Sequence, residues 1–174
     1  MRQPELWDDA AKEACGAIFA AIPNDSLPLE DLRNSFDYFV DNYLNKEDTN
    51  SVAVEIQWIS IGSHAIALSK KLGARLTVDS VTETLIRKQR DYGHENIRRF
   101  GRTGLIIRCH DKIARLENLC GSHFEPNNES IDDTLLDIVG YSAIGIMWER
   151  QNFLLQLAPP KKSEELLARG VETR

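Results

Sequence analysis

The chain has 174 residues, which is enough for one domain with a sizeable core, or for a core with a small accessory subdomain. Its hydrophobic fraction of 42% and charged fraction of 28% are ordinary for a folded water-soluble protein, and no apolar run approaches the roughly 20 residues that would span a bilayer. The net charge of −6 argues against duplex nucleic acid as the main partner. Because the first residues also lack the basic-then-apolar order of a signal peptide, we expect a cytoplasmic protein that does not enter a membrane.

Helical periodicity recurs along the chain, whereas the alternation typical of half-buried strands does not. Prolines, glycines and serines at the ends of the periodic segments act as start and stop signals, with Ser26 and Ser130 as helix caps. They predict helices over about residues 4–21, 26–44, 51–72, 77–92, 103–120 and 130–157, with a break at Gly93 and one or two further turns between 94 and 101. We therefore predict an all-α bundle of about six helices, in which the helices at 103–120 and 130–157 are antiparallel and form a pocket.

Charge is distributed unevenly along the second half of the chain. Residues 87–115 contain nine Lys or Arg and three acidic residues, whereas residues 121–149 contain six acidic residues and no Lys or Arg. Such blocks can pair on a surface, or cations and a metal ion together can hold a phosphorylated ligand. We divide the chain into an N-terminal helical accessory region (1–76), a helical core that contains both blocks (77–158) and a charged tail (159–174).

The predicted helix at 130–157 is apolar over more than half of its circumference, a pattern typical of a mostly buried helix. This arc is wider than one small bundle can be expected to cover. The pattern therefore also predicts a homodimer or a larger homo-oligomer.

A narrow polar strip runs along the same helix, and it holds Ser130, Asp133, Thr134, Asp137, Tyr141 and Gly145. Two carboxylates one turn apart in a buried setting repel each other, so they need arginines or a divalent cation beside them. We predict a Mg²⁺ site in which Asp133 and Asp137 line a pocket with Asp111. The strip would face Lys88 or Arg115. The alternative is a strip of salt bridges to the basic residues of 87–115.

Four blocks in the second half of the chain carry a resemblance to a known family. They are Lys88-Gln-Arg-Asp-Tyr-Gly-His-Glu-Asn96, Phe100-Gly-Arg-Thr-Gly-Leu105, Arg108-Cys-His-Asp-Lys-Ile-Ala-Arg-Leu116 and Glu129-Ser-Ile-Asp-Asp-Thr-Leu-Leu-Asp-Ile-Val-Gly-Tyr141. In this order they resemble the nucleotide-modification-associated domain of the first type, a family of small helical proteins that is common in phages. The resemblance covers about residues 80–150. It implies a role in phage or bacterial nucleotide metabolism, in the host cytoplasm where a phage encodes the protein.

The same region is distantly similar to the all-α nucleoside triphosphate pyrophosphohydrolases of the MazG and dimeric dUTPase kind. In those enzymes a helix with Glu-Glu-x-x-Glu and a later helix with Glu-x-x-Asp bind Mg²⁺ at the triphosphate. The resemblance implies that Asp137 matches the last of these carboxylates, and that Asp133 substitutes for the Glu where Thr134 stands. The implied catalytic residues are Asp111, Glu117, Asp133 and Asp137, with Glu129 as a helper. The implied ligands of Mg²⁺, or of Mn²⁺ as the alternative metal, are Asp111, Asp133 and Asp137.

The resemblance further implies a set of nucleotide-binding residues: Lys88, Asp91, Tyr92, His94, Asn96, Arg108, Lys112, Arg115 and Tyr141. The cations would neutralise the phosphates. Tyr92 would stack on a base, and His94 and Asn96 would hydrogen-bond a sugar or a base edge. The alternatives are that Tyr92 is an ordinary core aromatic and that His94 is a capping or loop histidine.

Three functions are compatible with these residues. The first is a Mg²⁺-dependent hydrolase of NTPs or dNTPs, in which the metal polarises the phosphoryl group and activates water. The second is a nucleotide-binding sensor, sponge or regulatory protein without catalysis, which the low acidic density of the helix at 103–120 favours. The third is an HD-type phosphohydrolase that would use His110 and Asp111 with His64 or His94 around a transition metal.

Overall fold

The computed structural model describes residues 3–24, 28–44, 50–121 and 129–160 of the chain. This part of the chain forms seven helices and no strand, so the predicted all-α fold is confirmed. The helices are α1 (Trp7–Ala20), α2 (Pro28–Tyr43), α3 (Ser51–Lys71), α4 (Val78–Tyr92), α5 (Glu95–Arg98), α6 (Gly101–Gly121) and α7 (Ile131–Glu149). The predicted break at Gly93 is present, with φ 65° between α4 and the one-turn α5. The Ser26 cap and most of the predicted tail lie outside the described residues.

Helix α7 lies at the centre of the bundle and contacts α1, α3, α4 and α6. Its apolar arc is buried as predicted; Leu135, Ile138, Val139, Ala143 and Ile146 have no exposed surface. Because the neighbouring helices of the same chain cover this arc, it does not require a second copy of the protein. The homo-oligomer was predicted from the wide apolar arc of α7, and the burial of this arc within one chain removes that support. The oligomeric state stays a prediction.

Small residues let α3 and α7 pack closely. A Cβ atom added to Gly145 would lie 2.4 Å from the indole ring of Trp58, and one added to Gly62 would lie 3.0 Å from Ser142. Gly145 thus faces the core, and its assignment to the polar strip with Asp137 was wrong. The reason is that the Trp58 ring occupies the space that a side chain at Gly145 would need.

The described helices share one hydrophobic core. α1 packs on α3, α4 and α7, and α2 packs on α3 and α6. Trp7, Phe36 and Trp58 are among the largest fully buried side chains. The helices before residue 76 therefore complete the packing around α7, because they supply the side chains that cover two of its faces.

Among the described residues, one helix has the length and mean hydropathy of a membrane span. This helix is α3, which the sequence analysis did not single out, and half of its most apolar window is buried inside the protein. A core helix of a soluble protein satisfies the same criterion, because burial against other helices selects for the same apolar residues.

Helices α4 and α6 both run antiparallel to α7, as successive contacts show. Along α6, Arg102 binds Glu149, Lys112 binds Asp137 and Arg115 binds Thr134. Along α4, Lys88 binds Asp137, and Leu85 approaches Gly140. The predicted antiparallel arrangement of α6 and α7 is therefore present.

Helix α7 ends at Glu149, eight residues before the predicted end at Leu157. Gln151 adopts a left-handed conformation with φ 60°, and the chain turns back toward α1. There the backbone N–H of Trp7 donates to Gln156 O at 2.8 Å. The apolar residues after Glu149, which the sequence pattern assigned to the same helix, instead cover the end of the bundle. Phe153 among them is 1% exposed.

Candidate ligand-binding site

A cavity of about 400 Å³ lies between α4 and α7 and is closed at one side by α5 and by one residue of α6. This volume is within the range of small-molecule sites. The lining residues are Val81, Thr84, Leu85, Lys88, Gln89, Tyr92, Asn96, Ile97, Arg108, Leu136, Asp137, Gly140, Tyr141 and Ile144. The predicted pocket between α6 and α7 therefore needs correction, since α4 forms the wall opposite α7 and α6 contributes only Arg108.

The polar end of the cavity is organised around Asp137, whose side chain is 14% exposed. Lys88 from α4 contacts one carboxylate oxygen, and Lys112 Nζ from α6 lies 2.7 Å from the other. Burial by itself favours the neutral acid, but the hydrogen bonds and charges of Lys112 and Lys88 hold the pKa of Asp137 below its usual range. Asp137 is therefore ionised at neutral pH without a metal ion.

Lys112 also holds Glu129, with Nζ 2.7 and 2.8 Å from the two carboxylate oxygens. Burial disfavours the charged amine, yet the hydrogen bonds that it donates to Asp137 and Glu129 raise its pKa above the ordinary value. Lys112 thus lies behind the cavity as a fixed cation between two acids. Lys88, which is 45% exposed and does line the cavity, is the more accessible of the two lysines.

Arg108 of α6 is the second cation that lines the cavity. It lies beside Tyr141, which follows Asp137 by about one turn of α7. Arg108 Nη2 donates to the backbone oxygen of Asn96 at 3.2 Å, while its side chain remains exposed. Burial and the charge of Asp137 raise the pKa of Tyr141, so this phenol is neutral at physiological pH. The cavity therefore presents two cations to a ligand, Lys88 beside Asp137 and Arg108 beside Tyr141.

An apolar wall is formed jointly by residues of α4, α5 and α7. It consists of Val81, Leu85, Ile97, Leu136 and Ile144. Gly140 permits the close approach of the helices, since an added Cβ atom would lie 3.1 Å from Leu85 Cδ2. Tyr92 stands at the rim with 67% of its surface exposed, so the alternative that it is a core aromatic was wrong.

Two buried polar atoms among the lining residues have no hydrogen-bond partner. They are the amide nitrogen Nε2 of Gln89 and the amide oxygen Oδ1 of Asn96. Gln89 was not predicted as a site residue, although Asn96 was. No feature of the local sequence distinguishes Gln89 from a solvated polar residue, because its burial depends on where α7 packs.

The predicted nucleotide-binding residues fall into two groups. Lys88, Tyr92, Asn96, Arg108 and Tyr141 line the cavity, whereas Asp91, His94, Lys112 and Arg115 do not. Asp91 is exposed on α4. His94 Nε2 donates to Leu155 O at 3.1 Å and its ring packs edge-on against Phe153, which matches the alternative of a loop histidine. Arg115 binds the Thr134 hydroxyl and the backbone oxygen of Glu129, and so fixes the start of α7.

The structure does not bring the predicted catalytic carboxylates together. Asp111 is exposed on α6, and Glu117 forms an ion pair with Arg33 of α2, whose guanidinium lowers the pKa of Glu117. Asp133 is exposed and accepts a hydrogen bond from the Ser130 hydroxyl at 2.7 Å. The premise of a buried pair was therefore wrong for Asp133, because its side chain faces away from the helices that bury the next residues, Thr134 and Leu135.

Within the described ranges, no group of three or more His, Cys, Asp or Glu residues is placed to hold a metal ion. The histidines of the HD-type hypothesis have separate partners. His64 Nδ1 donates to Ser60 O at 2.9 Å, and the ring of His110 stacks on Phe36 at 5.7 Å between centroids. Neither of these histidines, nor His94, lines the cavity.

Comparison of the chain with protein-family models, with curated protein sequences and with solved structures finds no match. The resemblance of residues 80–150 to the nucleotide-modification-associated family therefore stays a prediction. The argument for function rests on the cavity, which combines an apolar wall, two cations, two tyrosines and two unpartnered amide groups.

Proposed function

We propose that the protein binds a nucleotide in the cavity between α4 and α7 and acts as a nucleotide-responsive binding protein. The observation that carries this proposal is that a single cavity contains both Lys88 and Arg108 and an apolar wall with Tyr92 and Tyr141 beside it. A nucleotide needs cations for its phosphates and an apolar, aromatic surface for its base.

The network at Asp137 supports a phosphate subsite at Lys88. A phosphate that recruits Lys88 does not leave Asp137 unpaired, since Lys112 still holds its second oxygen at 2.7 Å. Lys88 is 45% exposed, so it can turn toward a ligand at little cost in buried contacts. Arg108 adds a second cation whose guanidinium geometry suits phosphate oxygens.

The base would lie against the apolar wall, with Tyr92 at the rim closing over it. An exposed tyrosine ring at the mouth of a cavity gains buried area when it stacks on a planar ligand. Tyr141 remains a neutral hydrogen-bonding phenol beside Arg108, because burial raises its pKa.

Binding without hydrolysis accounts for the carboxylates better than the Mg²⁺-dependent hydrolase does. Asp111, Asp133 and Asp137 have separate environments, and Asp137 is already neutralised by two lysines. In our proposal Mg²⁺, or Mn²⁺, enters with the phosphates of the nucleotide, as Mg²⁺ commonly does. Hydrolysis is the second candidate, and its support is that Asp137 lines the same cavity as the phosphate subsite.

Calorimetric titration with the eight common NTPs and dNTPs, each with and without Mg²⁺, tests the proposal. Chromatography of the same mixtures after incubation detects turnover. We expect binding by at least one nucleotide and no product. Binding with Mg²⁺-dependent product would support the hydrolase, and the absence of binding at millimolar nucleotide would contradict both proposals.

Two charge-matched variants locate the site. Lys88→Gln should weaken binding by about 10-fold or more, since a charge-assisted contact to phosphate is lost. Arg90→Gln removes an exposed cation of the same helix that does not line the cavity, and it should leave affinity unchanged. Equal losses in the two variants would indicate nonspecific attraction and not a phosphate subsite.

A further inference from the structure

Gln89 is the most buried polar side chain of the cavity, with 5% of its surface exposed. Its amide nitrogen Nε2 is fully shielded from solvent and has no hydrogen-bond partner. Buried amide groups are usually paired, because an unpaired donor loses its hydrogen bonds to water without replacement. Gln89 lines the cavity beside Lys88, so a rotation of its side chain toward a ligand there can supply the missing acceptor.

Asn96 is a second lining residue with an unpaired polar atom, and this atom is an acceptor. Its side-chain oxygen Oδ1 is buried and has no donor. Its backbone oxygen accepts a hydrogen bond from Arg108 Nη2 at 3.2 Å. Since Asn96 belongs to the one-turn helix α5, this bond ties the position of Asn96 to the cation that lines the same cavity.

The coincidence of these two atoms is specific to the cavity. Among the described residues, the other buried side-chain atoms without a partner are Trp7 Nε1, Trp58 Nε1 and Ser69 Oγ. None of the three belongs to a residue that lines the cavity. An unpaired donor and an unpaired acceptor thus belong to two residues that line the same cavity as the proposed phosphate subsite.

We infer that Gln89 and Asn96 are the residues that recognise the base, with Gln89 Nε2 donating to a ring or carbonyl acceptor and Asn96 Oδ1 accepting from an amino or ring N–H group. This inference rests on the proposed nucleotide binding. It assigns the ligand class more narrowly: a nucleotide whose base offers an acceptor and a donor on one edge, which a polyphosphate or an acyl carboxylate does not.

Uncharged amides suit this task because they attract phosphate less strongly than the charged groups of Lys88 and Arg108 do. Lys88 and Arg108 would bind any phosphorylated ligand, whereas Gln89 and Asn96 distinguish one that carries a base. A site built around hydrogen bonds to a ligand rejects analogues that lack the matching groups, because the amides of the protein are then left unpaired.

Titration of three probes with the wild type and with Gln89→Leu and Asn96→Leu tests the inference. The probes are the best-binding nucleotide of the panel, purine riboside triphosphate, whose base lacks an exocyclic amino or carbonyl group, and inorganic tripolyphosphate. We expect each variant to bind the nucleotide about 10- to 100-fold more weakly and tripolyphosphate unchanged. Asn96→Leu should also lose less affinity for purine riboside triphosphate than for the nucleotide, because that probe offers Asn96 no amino group.

Gln89→Glu provides a second variant of the same shape, in which an acceptor replaces the donor. It should weaken nucleotide binding at least as much as Gln89→Leu. Thermal unfolding should show that Gln89→Leu is no less stable than the wild type, since the substituted amide nitrogen has no partner in the protein.

The outcomes separate the two proposals. Nucleotide binding that depends on Lys88 but is unchanged in the Gln89 and Asn96 variants would overturn the inference and leave the proposed function intact. No nucleotide binding by the wild type would overturn both. Loss of stability in Gln89→Leu together with equal weakening of all three probes would assign Gln89 to the packing of α4, and would also overturn the inference.

Discussion

Lys112 holds the Asp137 carboxylate at 2.7 Å from the side that faces away from the cavity. The lysine is on α6 and the aspartate on α7, so this contact joins the two antiparallel helices at the level of the proposed phosphate subsite. The side chains are 20% and 14% exposed, and Lys112 carries Glu129 as well. Lys112 therefore fixes the position of the Asp137 carboxylate, whose other oxygen contacts the more exposed Lys88.

We predict that Asp137→Asn destabilises the protein by about 1–3 kcal/mol. The substitution removes the charge that compensates Lys88 and Lys112, and an unpaired charge at a partly buried site is costly. The loss is smaller than for a fully buried pair because Lys112 keeps Glu129 and Lys88 is 45% exposed. Urea unfolding at neutral pH measures the change. A higher free energy of unfolding in the variant would show instead that the carboxylate is unfavourable in the folded protein, as in an empty metal site.

The contribution of Asp137 to stability should depend on pH in one direction. Its pKa in the folded protein is below the ordinary value of 3.8, so the unfolded chain takes up its proton at higher pH than the folded chain does. The stabilisation is therefore complete above that ordinary value and is lost as the pH falls below it toward the folded pKa. The difference in unfolding free energy between wild type and Asp137→Asn should be constant from pH 7 to about pH 5 and shrink below about pH 4. A difference that grows on acidification would contradict this assignment.

Substitution of Gly145 by alanine should destabilise the protein by about 1–3 kcal/mol, because its Cβ atom would lie 2.4 Å from the Trp58 ring and α3 and α7 would have to separate. Gly16 provides the control in α1, where an added Cβ atom meets nothing within 4 Å. Gly16→Ala should stabilise by about 0.4–1 kcal/mol, since alanine loses less conformational entropy in a helix. Thermal unfolding of both variants compares the effects. Equal changes in the two proteins would mean that Trp58 moves freely away from α7.

Asp111→Asn and Glu117→Gln should leave nucleotide affinity within about twofold of the wild type, because neither side chain lines the cavity. Glu117→Gln should also lower the free energy of unfolding by at most about 1 kcal/mol. The reason is that the Glu117 side chain, which forms an ion pair with Arg33, is 37% exposed. Calorimetric titration and urea unfolding give the two values. Loss of a metal-dependent turnover in either variant would restore these carboxylates to the catalytic role that the sequence resemblance implies.

Much of the helical architecture was predictable from local sequence. Thr77 and Ser80 form a capping box at the start of α4, Ser130 caps α7, and Gly93 ends α4 with a positive φ. These residues act through contacts with the backbone within a few positions, so their effects do not depend on the rest of the fold. The burial of α7 was predictable for a similar reason, since a helix that is apolar over most of its circumference has to be covered.

The candidate site was predictable only in part. The sequence identified Lys88, Asn96, Arg108 and Tyr141, all of which line the cavity. It predicted that the strip with Asp137 faces Lys88 or Arg115, and Lys88 does contact Asp137. It missed Gln89, whose side chain lines the cavity and is buried without a hydrogen-bond partner for its amide nitrogen. Periodicity predicts which residues share one face of a helix. It does not predict which residues of another helix that face contacts.

Tertiary packing decided the remaining features. Asp133 and Asp137 are one turn apart, yet Asp133 is exposed and Asp137 is held by lysines from α4 and α6. Gly145, from the same predicted strip, faces Trp58 in the core. The sequence by itself determined where the helices form and which of them is central. The rotation of each helix about its axis, and with it the membership of the cavity, was set by long-range packing, because the lowest free energy depends on how all the apolar faces fit together.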